Sequence, residues 1–287
     1  MPSASASTEI GHYENFPVAS YLCPPHLRAP IAAIYHFART ADDIADEGSD
    51  DSGARLAALG SYRQQLLLAA RPDTPDSAFD PRWRHIFSPL QRAISAHGLH
   101  IQLLNDLLDA FAQDIEKSRD AAGYATDAEL LDYCRLSANP VGRLLLQLYG
   151  VDDEASLRHS DDICTALQLI NFWQDPSVDI PRGRYYFTDQ MLARAGVSPA
   201  AMLAQQQTPQ TTLMVRQCVE AARVLMLRGA PLVHRIPGRA GWELRLVVQG
   251  GLRILDKIEA LDFATLKRRP KLYARDYAVL LWRALWM

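Results

Sequence analysis

Three polar residues recur at every fourth position in the stretch 167–187: Asn171, Asp175 and Asp179. Residues four apart in a helix lie on one face, so an amide and two carboxylates would stand in a line. Apolar side chains surround them, and carboxylates that lack a counter-charge are costly to bury. Mg²⁺ would offset that cost, because it binds carboxylate oxygens and leaves positions for waters and substrate phosphates. The alternative interpretation is an amphipathic helix with a solvated acidic face.

A second acidic pair favours the metal interpretation. Asp42 and Asp46 also stand four apart, and Arg39 lies one turn before Asp42. Tyr35 lies one further turn back on the same predicted helix. Two helices that each carry an Asp-x-x-x-Asp pair can face each other across a bundle and hold Mg²⁺ ions that bind an oligophosphate. Since four facing carboxylates repel one another without metal, the two pairs predict a metal-dependent site.

The elements that would position these residues are all helical. Helical patterns cover roughly 54–70, 101–117, 213–229 and 242–261, whereas strand patterns are scarce. Before them, the prolines at 17, 24, 25 and 30 should keep the chain in turns until a helix begins after Pro30. We therefore predict an all-α protein, a single large helical bundle with a central cavity. Residues 1–10 should form a flexible N-terminus and residues 11–287 one domain.

Composition limits which binding partners and which cellular compartment are expected. The 287 residues are 48% hydrophobic and 22% charged, which is typical of a globular protein. A net charge of −3 gives no reason to expect nucleic-acid binding. The four cysteines form no CxxC pair, the first ten residues do not resemble a signal peptide, and no apolar run is long enough for a membrane span. These features predict a cytoplasmic protein. The aromatic tail YAVLLWRALWM is compatible with peripheral contact with the inner membrane or with docking on the bundle.

The acidic motifs resemble those of the squalene and phytoene synthases, the all-α head-to-head prenyltransferases. The matching segments are Asp42-Asp43-Ile44-Ala45-Asp46, Asn171-x-x-x-Asp175-x-x-x-Asp179 and Arg182-Gly183-Arg184-Tyr185-Tyr186. The resemblance runs from about His12 to about Leu266. It implies an isoprenoid synthase bundle, a prenyl diphosphate substrate and Mg²⁺ as cofactor. The metal ligands it implies are Asp42, Asp46, Asn171, Asp175 and Asp179.

Several further residues are expected at the site because they match the family or because their chemistry suits it. Arg39 and Arg184 would grip phosphate oxygens with planar donors. Tyr133 matches the family tyrosine that helps to guide a carbocation, and a core aromatic with a satisfied hydroxyl is the alternative. Tyr186, in the segment after the second acidic motif, completes the expected catalytic set. Tyr35 is expected to bind substrate together with Arg39.

Other expected substrate contacts mark departures from the common family pattern. Asn15 and Phe16 stand where the family has a Ser-Phe pair that lines the diphosphate pocket. Asn139 belongs to a Ser-Ala-Asn-Pro-Val-Gly segment that should interrupt a helix, where most squalene and phytoene synthases have Val-Ala-Gly-x-Val-Gly. This variant resembles the hydroxysqualene synthase branch of bacterial hopanoid pathways. Gly251 follows another glycine inside a predicted helix, which suggests space for an isoprenoid chain or a close helix–helix contact.

The resemblance implies a specific reaction, in which presqualene diphosphate ionises, rearranges and is captured by water to give hydroxysqualene. The alternatives within the family are presqualene diphosphate synthase, squalene synthase and phytoene or dehydrosqualene synthase, with farnesyl diphosphate among the possible substrates. A non-catalytic scaffold is the alternative of another class, and the intact acidic motifs argue against it. Pro176 directly follows Asp175, so we expect a kink that changes the aim of Asp179.

Overall fold

The computed structural model describes residues 23–46 and 51–287, and all the regular structure in that part of the chain is helical. The α-helices are α1 Pro25–Asp46, α2 Ser52–Ala69, α3 Arg84–His97, α4 Ile101–Arg119, α5 Asp127–Ser137, α6 Asn139–Leu148, α7 Glu154–Gln174, α8 Pro176–Asp179, α9 Asp189–Ala195, α10 Pro199–Leu203, α11 Pro209–Gly229, α12 Gly238–Glu259 and α13 Ala274–Leu285. The all-α prediction is confirmed. None of the described helices is both long and apolar enough to cross a bilayer.

Helix α1, which carries the first acidic motif, begins earlier than predicted. Pro25 starts the helix, and Pro30 lies inside it with its side chain buried. A proline suits the first helical position because the amide there needs no partner. Pro30 removes only one further hydrogen bond, and its ring packs in the core. The prediction that the prolines keep the chain in turns up to Pro30 is therefore wrong from Pro25 onwards, and Pro17 lies outside the described residues.

In residues 23–46 and 51–287, the core consists of two clusters of buried apolar side chains that meet at α4 and α6. One cluster lies around α1–α3 and includes the stacked rings of Phe37 and Tyr62, whose centroids are 5.3 Å apart. The other surrounds α7, which packs against α5, α6, α11 and α12. Leu144 of α6 belongs to the first cluster and Leu146 to the second. The two acidic motifs thus belong to helices of different clusters.

The helix interruption that the Ser-Ala-Asn-Pro-Val-Gly segment predicts is present. Ala138, with φ −118° and ψ −47°, separates α5 from α6. Pro140 lies in the first turn of α6, where a missing amide costs nothing. A Cβ atom on Gly142 would collide with the side chains of Ser160 and Cys164 on α7. Glycine therefore allows α6 to approach α7 closely.

Candidate active site

The first acidic motif forms one face of α1 beside its own arginine. Arg39 Nη1 lies 3.0 Å from Asp42 Oδ2, and Arg39 Nη2 lies 2.7 Å from Asp43 Oδ1. Burial raises the pKa of Asp42 to about 6, and Asp46 adds to the rise while Arg39 opposes it. Arg39 therefore only partly offsets the cost of burying the Asp42 carboxylate.

The second acidic motif does not lie on one continuous helix, because α7 ends at Gln174 and α8 begins at Pro176. Asp175 occupies the break, with φ −109° and ψ 15°. The Asp175 amide still donates to the Asn171 carbonyl at 3.1 Å, and the Asp179 amide to the Asp175 carbonyl at 2.9 Å. The predicted single helical face is therefore wrong, and the predicted kink at Pro176 is present. Asn171, Asp175 and Asp179 therefore do not lie in a straight line, but the backbone hydrogen bonds between residues four apart are kept.

Two arginines supply counter-charge that the sequence pattern did not reveal. Arg184 Nη2 lies 2.5 Å from Asp46 Oδ1, and Arg269 Nε lies 2.6 Å from Asp175 Oδ1. The expectation that the acidic motifs lack a counter-charge is therefore wrong for Asp46 and for Asp175. The Arg184 amide also donates to the Asp179 carbonyl at 3.0 Å. Arg184 thus joins the end of the second motif to the first motif on α1, and the two acidic segments face each other.

The charge on the second motif remains incompletely balanced. Burial raises the pKa of Asp179 to about 6, Asp175 adds to the rise, and Arg184 opposes it. Burial also raises the pKa of Asp175, against the effect of Arg269. The folded protein therefore stabilises the neutral forms of these carboxyl groups more than water does, and additional positive charge at the site would favour the ionised forms.

Asp114 on α4 is a site residue that the sequence did not single out. It accepts a hydrogen bond from the Tyr133 hydroxyl at 2.8 Å. Burial raises its pKa to about 7, Tyr133 and Arg184 oppose the rise, and Asp46 and Asp42 add to it. These electrostatic partners place Asp114 beside both acidic motifs. Its helical spacing from the buried Leu107 was a signal that could have distinguished it from its solvated acidic neighbours.

Aromatic rings form a wall next to the carboxylates. Tyr186 stacks on Phe172 with centroids 3.7 Å apart and planes 11° from parallel. Tyr133 lies 6.2 Å from Phe172 and 5.6 Å from Tyr124, measured between centroids. Because Tyr133 is also buried and bonded to Asp114, it satisfies the description of a core aromatic while it borders the acidic site.

A cavity of about 270 Å³ adjoins this wall. Asp179 and Arg184 supply polar groups to its lining, and Phe172, Tyr186, Leu192 and Met202 supply apolar surface. A site with a charged end and an apolar body suits a ligand that has a phosphate head and a hydrocarbon chain.

The remaining expected residues lie in different surroundings. Asn139 is buried at the start of α6 and accepts a hydrogen bond from Thr165 Oγ1 at 3.0 Å. Tyr35 is half-buried on α1, one turn from Arg39, and Asn171 is exposed near the end of α7. Asn15 and Phe16 lie outside the described residues, so their roles remain predictions.

Gly251 lies where α12 meets α7 and α11. A Cβ atom there would stand 2.7 Å from Met226 Cε, 3.2 Å from Ile170 Cδ1 and 3.3 Å from Leu167 Cδ2. These contacts show close helix packing around the glycine, and Ile170 lies next to Asn171 of the second motif. A contact between Gly251 and a hydrocarbon chain remains a prediction.

Graded substitutions at Gly251 would separate the two interpretations. If Gly251 borders the hydrocarbon, Gly251→Phe should lower turnover by at least about tenfold while diphosphate with Mg²⁺ still raises the unfolding midpoint. Gly251→Ala meets mainly the flexible end of Met226, so a smaller loss is expected. Steady-state turnover and thermal unfolding of both variants provide the measurements. Turnover that falls only as far as stability does would support the packing interpretation.

The raised carboxyl pKa values predict an unusual dependence of stability on pH. Asp42, Asp114 and Asp179 bind protons at higher pH when folded than in the unfolded chain, where a carboxyl pKa is about 4. The folded state therefore binds more protons between about pH 4 and pH 7, and stability should rise as pH falls through that range. Without divalent metal, the unfolding midpoint at pH 5.5 should exceed that at pH 7.5 by at least about 2–4 °C, the shift that 1 kcal/mol produces in a chain of this size.

Asp114→Asn should flatten this pH dependence, because it removes the group whose pKa lies highest of the three. Asp106→Asn is the matched control on the same helix, and it should leave the dependence unchanged. An unfolding midpoint that is lower at pH 5.5 than at pH 7.5 would contradict the assignment of raised pKa values.

Comparisons with known proteins identify the family of this chain. Residues 11–276 match the squalene/phytoene synthase family. The chain belongs to that family. It is 32% identical to a hydroxysqualene synthase of Sinorhizobium fredii over 95% of this chain and 86% of the relative. It is 27% identical to a phytoene synthase of Pseudescherichia vulneris over 80% and 74% of the two chains. The protein is thus an enzyme of the squalene/phytoene synthase family.

A solved structure supports the same assignment. Squalene synthase HpnC from Alicyclobacillus acidocaldarius superposes with a TM-score of 0.78 and is 34% identical in sequence. The superposition covers 88% of this chain and 90% of that chain. The helical fold of squalene/phytoene synthases therefore extends over most of the protein.

Proposed function

We propose that this squalene/phytoene synthase family enzyme converts presqualene diphosphate to hydroxysqualene by ionisation, rearrangement and capture of the cation by water. The observation that carries the proposal is the similarity over 95% of the chain to a hydroxysqualene synthase, at 32% identity against 27% for the phytoene synthase. The Ser-Ala-Asn-Pro-Val-Gly segment at the start of α6 agrees with it. The acidic residues supply the site that such chemistry needs.

The carboxylates suit Mg²⁺ by their chemistry and charge. Asp42 and Asp46 would form one ligand pair and Asp175 and Asp179 the other, with Asn171 next to the second. Among the described residues, no three metal-ligating side chains are grouped closely enough to hold an ion by themselves. Mg²⁺ commonly binds one or two carboxylates and takes its other ligands from waters and substrate phosphates. When bound, it would act as a Lewis acid that stabilises the negative charge on the departing diphosphate.

The arginines would bind the diphosphate from two sides. Arg39 extends from α1 with its side chain 47% exposed, and Arg184 extends from the segment after α8. Each guanidinium can exchange a carboxylate partner for phosphate oxygens, which accept two parallel hydrogen bonds from it. Arg269 would hold Asp175 in place during this exchange, because their ion pair is mostly buried.

The aromatic wall would shield the cation after the diphosphate leaves. Phe172, Tyr133 and Tyr186 present ring surfaces, which attract positive charge more strongly in a dry site than in water. The hydrogen bond from Tyr133 to Asp114 fixes the orientation of that ring. We propose that this fixed wall directs the rearrangement and limits water to the single molecule that captures the final cation.

Product analysis in labelled water tests the reaction. The enzyme would receive presqualene diphosphate and Mg²⁺ in H₂¹⁸O without a nicotinamide cofactor, and we expect hydroxysqualene whose hydroxyl oxygen is ¹⁸O. Farnesyl diphosphate and geranylgeranyl diphosphate would be supplied in separate reactions, each with and without NADPH.

The similarity to the structure named as a squalene synthase makes squalene formation the second candidate. Squalene that appears only with NADPH would support that candidate and refute water capture. Phytoene from geranylgeranyl diphosphate would also refute the proposal. The absence of any product from all three substrates would favour a non-catalytic role.

A further inference from the structure

Helix α13 presents an aromatic face to solvent, which we define as Tyr277, Leu281, Trp282, Leu285 and Trp286. Six of the fourteen exposed large apolar or aromatic side chains in the described residues lie between positions 273 and 286. Trp286 is 76% exposed, Trp282 63% and Leu281 58%. In α13, all of which the structure describes, Arg275 and Arg283 are the only charged residues that reach solvent, and Arg283 pairs with Asp256 of α12. This arrangement inverts the usual surface helix, whose charged face points to water.

The inner face of α13 carries the charges that anchor the helix to α12. The buried Asp276 carboxylate accepts hydrogen bonds from Arg253 Nε at 2.8 Å and from Lys257 Nζ at 2.6 Å. At the other end, Arg245 Nη1 donates to the Ala284 carbonyl at 3.2 Å. α13 therefore runs antiparallel to α12 and is attached at both ends. The aromatic face is held outwards by these contacts and is not a consequence of a loose terminus.

The face is organised and extends onto α12. The rings of Trp282 and Trp286 meet edge to face with centroids 5.7 Å apart. Arg245, which bonds to the end of α13, also lies over the ring of Trp242 at 4.8 Å, and Trp242 is itself exposed. Indole rings favour the boundary between water and lipid headgroups, because they combine a large apolar surface with one hydrogen-bond donor.

The segment that leads into α13 is basic. Residues 267–287 contain six basic side chains and one acidic side chain, the buried Asp276, in a chain whose net charge is −3. Lys267, Arg268, Lys271 and Arg275 are exposed. Such a charge complements anionic lipid headgroups. A symmetric pairing of two copies through this face would instead bring like-charged segments together.

We propose that the aromatic face of α13 and the basic segment before it dock the protein on an anionic lipid surface, as a peripheral contact that inserts Trp282 and Trp286 into the headgroup boundary. Arg269 contacts Asp175 of the acidic site, and α13 begins at Ala274. An extended chain between them spans at most about 18 Å. If the proposed function holds, docking would place the acidic site close to the membrane in which isoprenoid hydrocarbons dissolve.

Vesicle flotation tests the docking without any turnover. The 287-residue chain would be mixed with vesicles of phosphatidylcholine alone or with about one third phosphatidylglycerol. We expect flotation with the anionic vesicles, a loss on raising salt because exposed charges are screened, and quenching of tryptophan fluorescence by brominated lipids. Trp282→Ala combined with Trp286→Ala should lower the bound fraction at least about tenfold, because two large apolar surfaces leave the lipid.

The matched control is Leu213→Ala combined with Leu227→Ala on α11, where both side chains are also half exposed. It should float like the wild type, and Lys267→Gln combined with Arg268→Gln should float less.

Two flotation results would overturn the proposal: no flotation of the wild type, or flotation of the tryptophan double variant that equals the wild type. A dimer that the tryptophan substitutions convert to monomers without vesicles would do the same, because the face would then join two copies. Equal binding to neutral vesicles would refute the role of charge. Because the assay measures no product, its failure leaves the proposed reaction untouched.

Discussion

Asp42→Asn and Asp175→Asn should each lower turnover by at least about 100-fold while the protein remains folded. The loss is expected because each substitution removes one of two carboxylates in a proposed Mg²⁺ ligand pair, and charge stabilisation of a leaving group commonly contributes this much. The fold should survive because asparagine resembles the neutral form of the side chain. The raised pKa values mean that the fold stabilises the neutral form at both positions more than water does.

Two measurements separate this expectation from a general loss of structure. In the wild type, Mg²⁺ with inorganic diphosphate should raise the unfolding midpoint, and this shift should shrink in both variants. The metal-free midpoint should not fall in Asp42→Asn, whereas Asp175→Asn removes the ion-pair partner of the mostly buried Arg269 and should lower it. Asp162→Asn is the control, since Asp162 lies on α7 with the second motif but pairs with Arg228, whose side chain is mostly exposed. Near-normal turnover in either site variant would refute the metal assignment.

The helical bundle and both acidic motifs could be predicted from the sequence, because each depends on the local spacing of apolar or acidic residues. The four-residue spacing of Asp42 and Asp46 predicts their shared helical face, and the structure contains it. The break at Asp175 follows from one local cause, the proline at 176. Pro30 shows the limit of such rules, since burial of its ring in the core outweighs the single hydrogen bond that it removes.

The counter-charges could not be predicted in this way, because they depend on contacts between residues far apart in the chain. Arg269 reaches Asp175 from the segment between α12 and α13, where no periodic pattern indicates a role. The same segment fixes its position by another contact, in which Gln174 Nε2 donates to the Pro270 carbonyl at 2.7 Å. Asp114 was obscured because it belongs to a helix with several other acidic residues, and its spacing of two turns from Leu107 is the one local feature that distinguishes it from them.

These ion pairs also indicate how the site could receive a diphosphate. The facing carboxylates are held by arginines whose guanidinium groups also have the geometry to bind a diphosphate. Binding of substrate with metal would therefore replace arginine–carboxylate pairs by arginine–phosphate and metal–carboxylate contacts. Such an exchange would leave each charged group with a partner, so the site could take up both forms without a buried unpaired charge. Arg184 is the residue on which this exchange depends most, because it joins the two acidic segments.

Arg184→Met should therefore impair both catalysis and metal-free stability. Turnover should fall at least about 100-fold, because the diphosphate loses a planar donor pair. The metal-free unfolding midpoint should fall as well, because Asp46 loses its partner and a positive charge that opposes the raised pKa values of Asp114 and Asp179 disappears. Removal of one partner from a partly buried ion pair costs more than the pair contributes.

Arg184→Lys distinguishes charge from geometry at this position. A lysine keeps the charge, so the metal-free midpoint should recover most of the loss, but it cannot form the two parallel hydrogen bonds of a guanidinium. We expect its kcat to stay well below that of the wild type. Arg228→Met removes an arginine–carboxylate pair outside the site and should leave turnover unchanged. Full activity of Arg184→Lys would show that a point charge is sufficient, and full activity of Arg184→Met would exclude Arg184 from the diphosphate site.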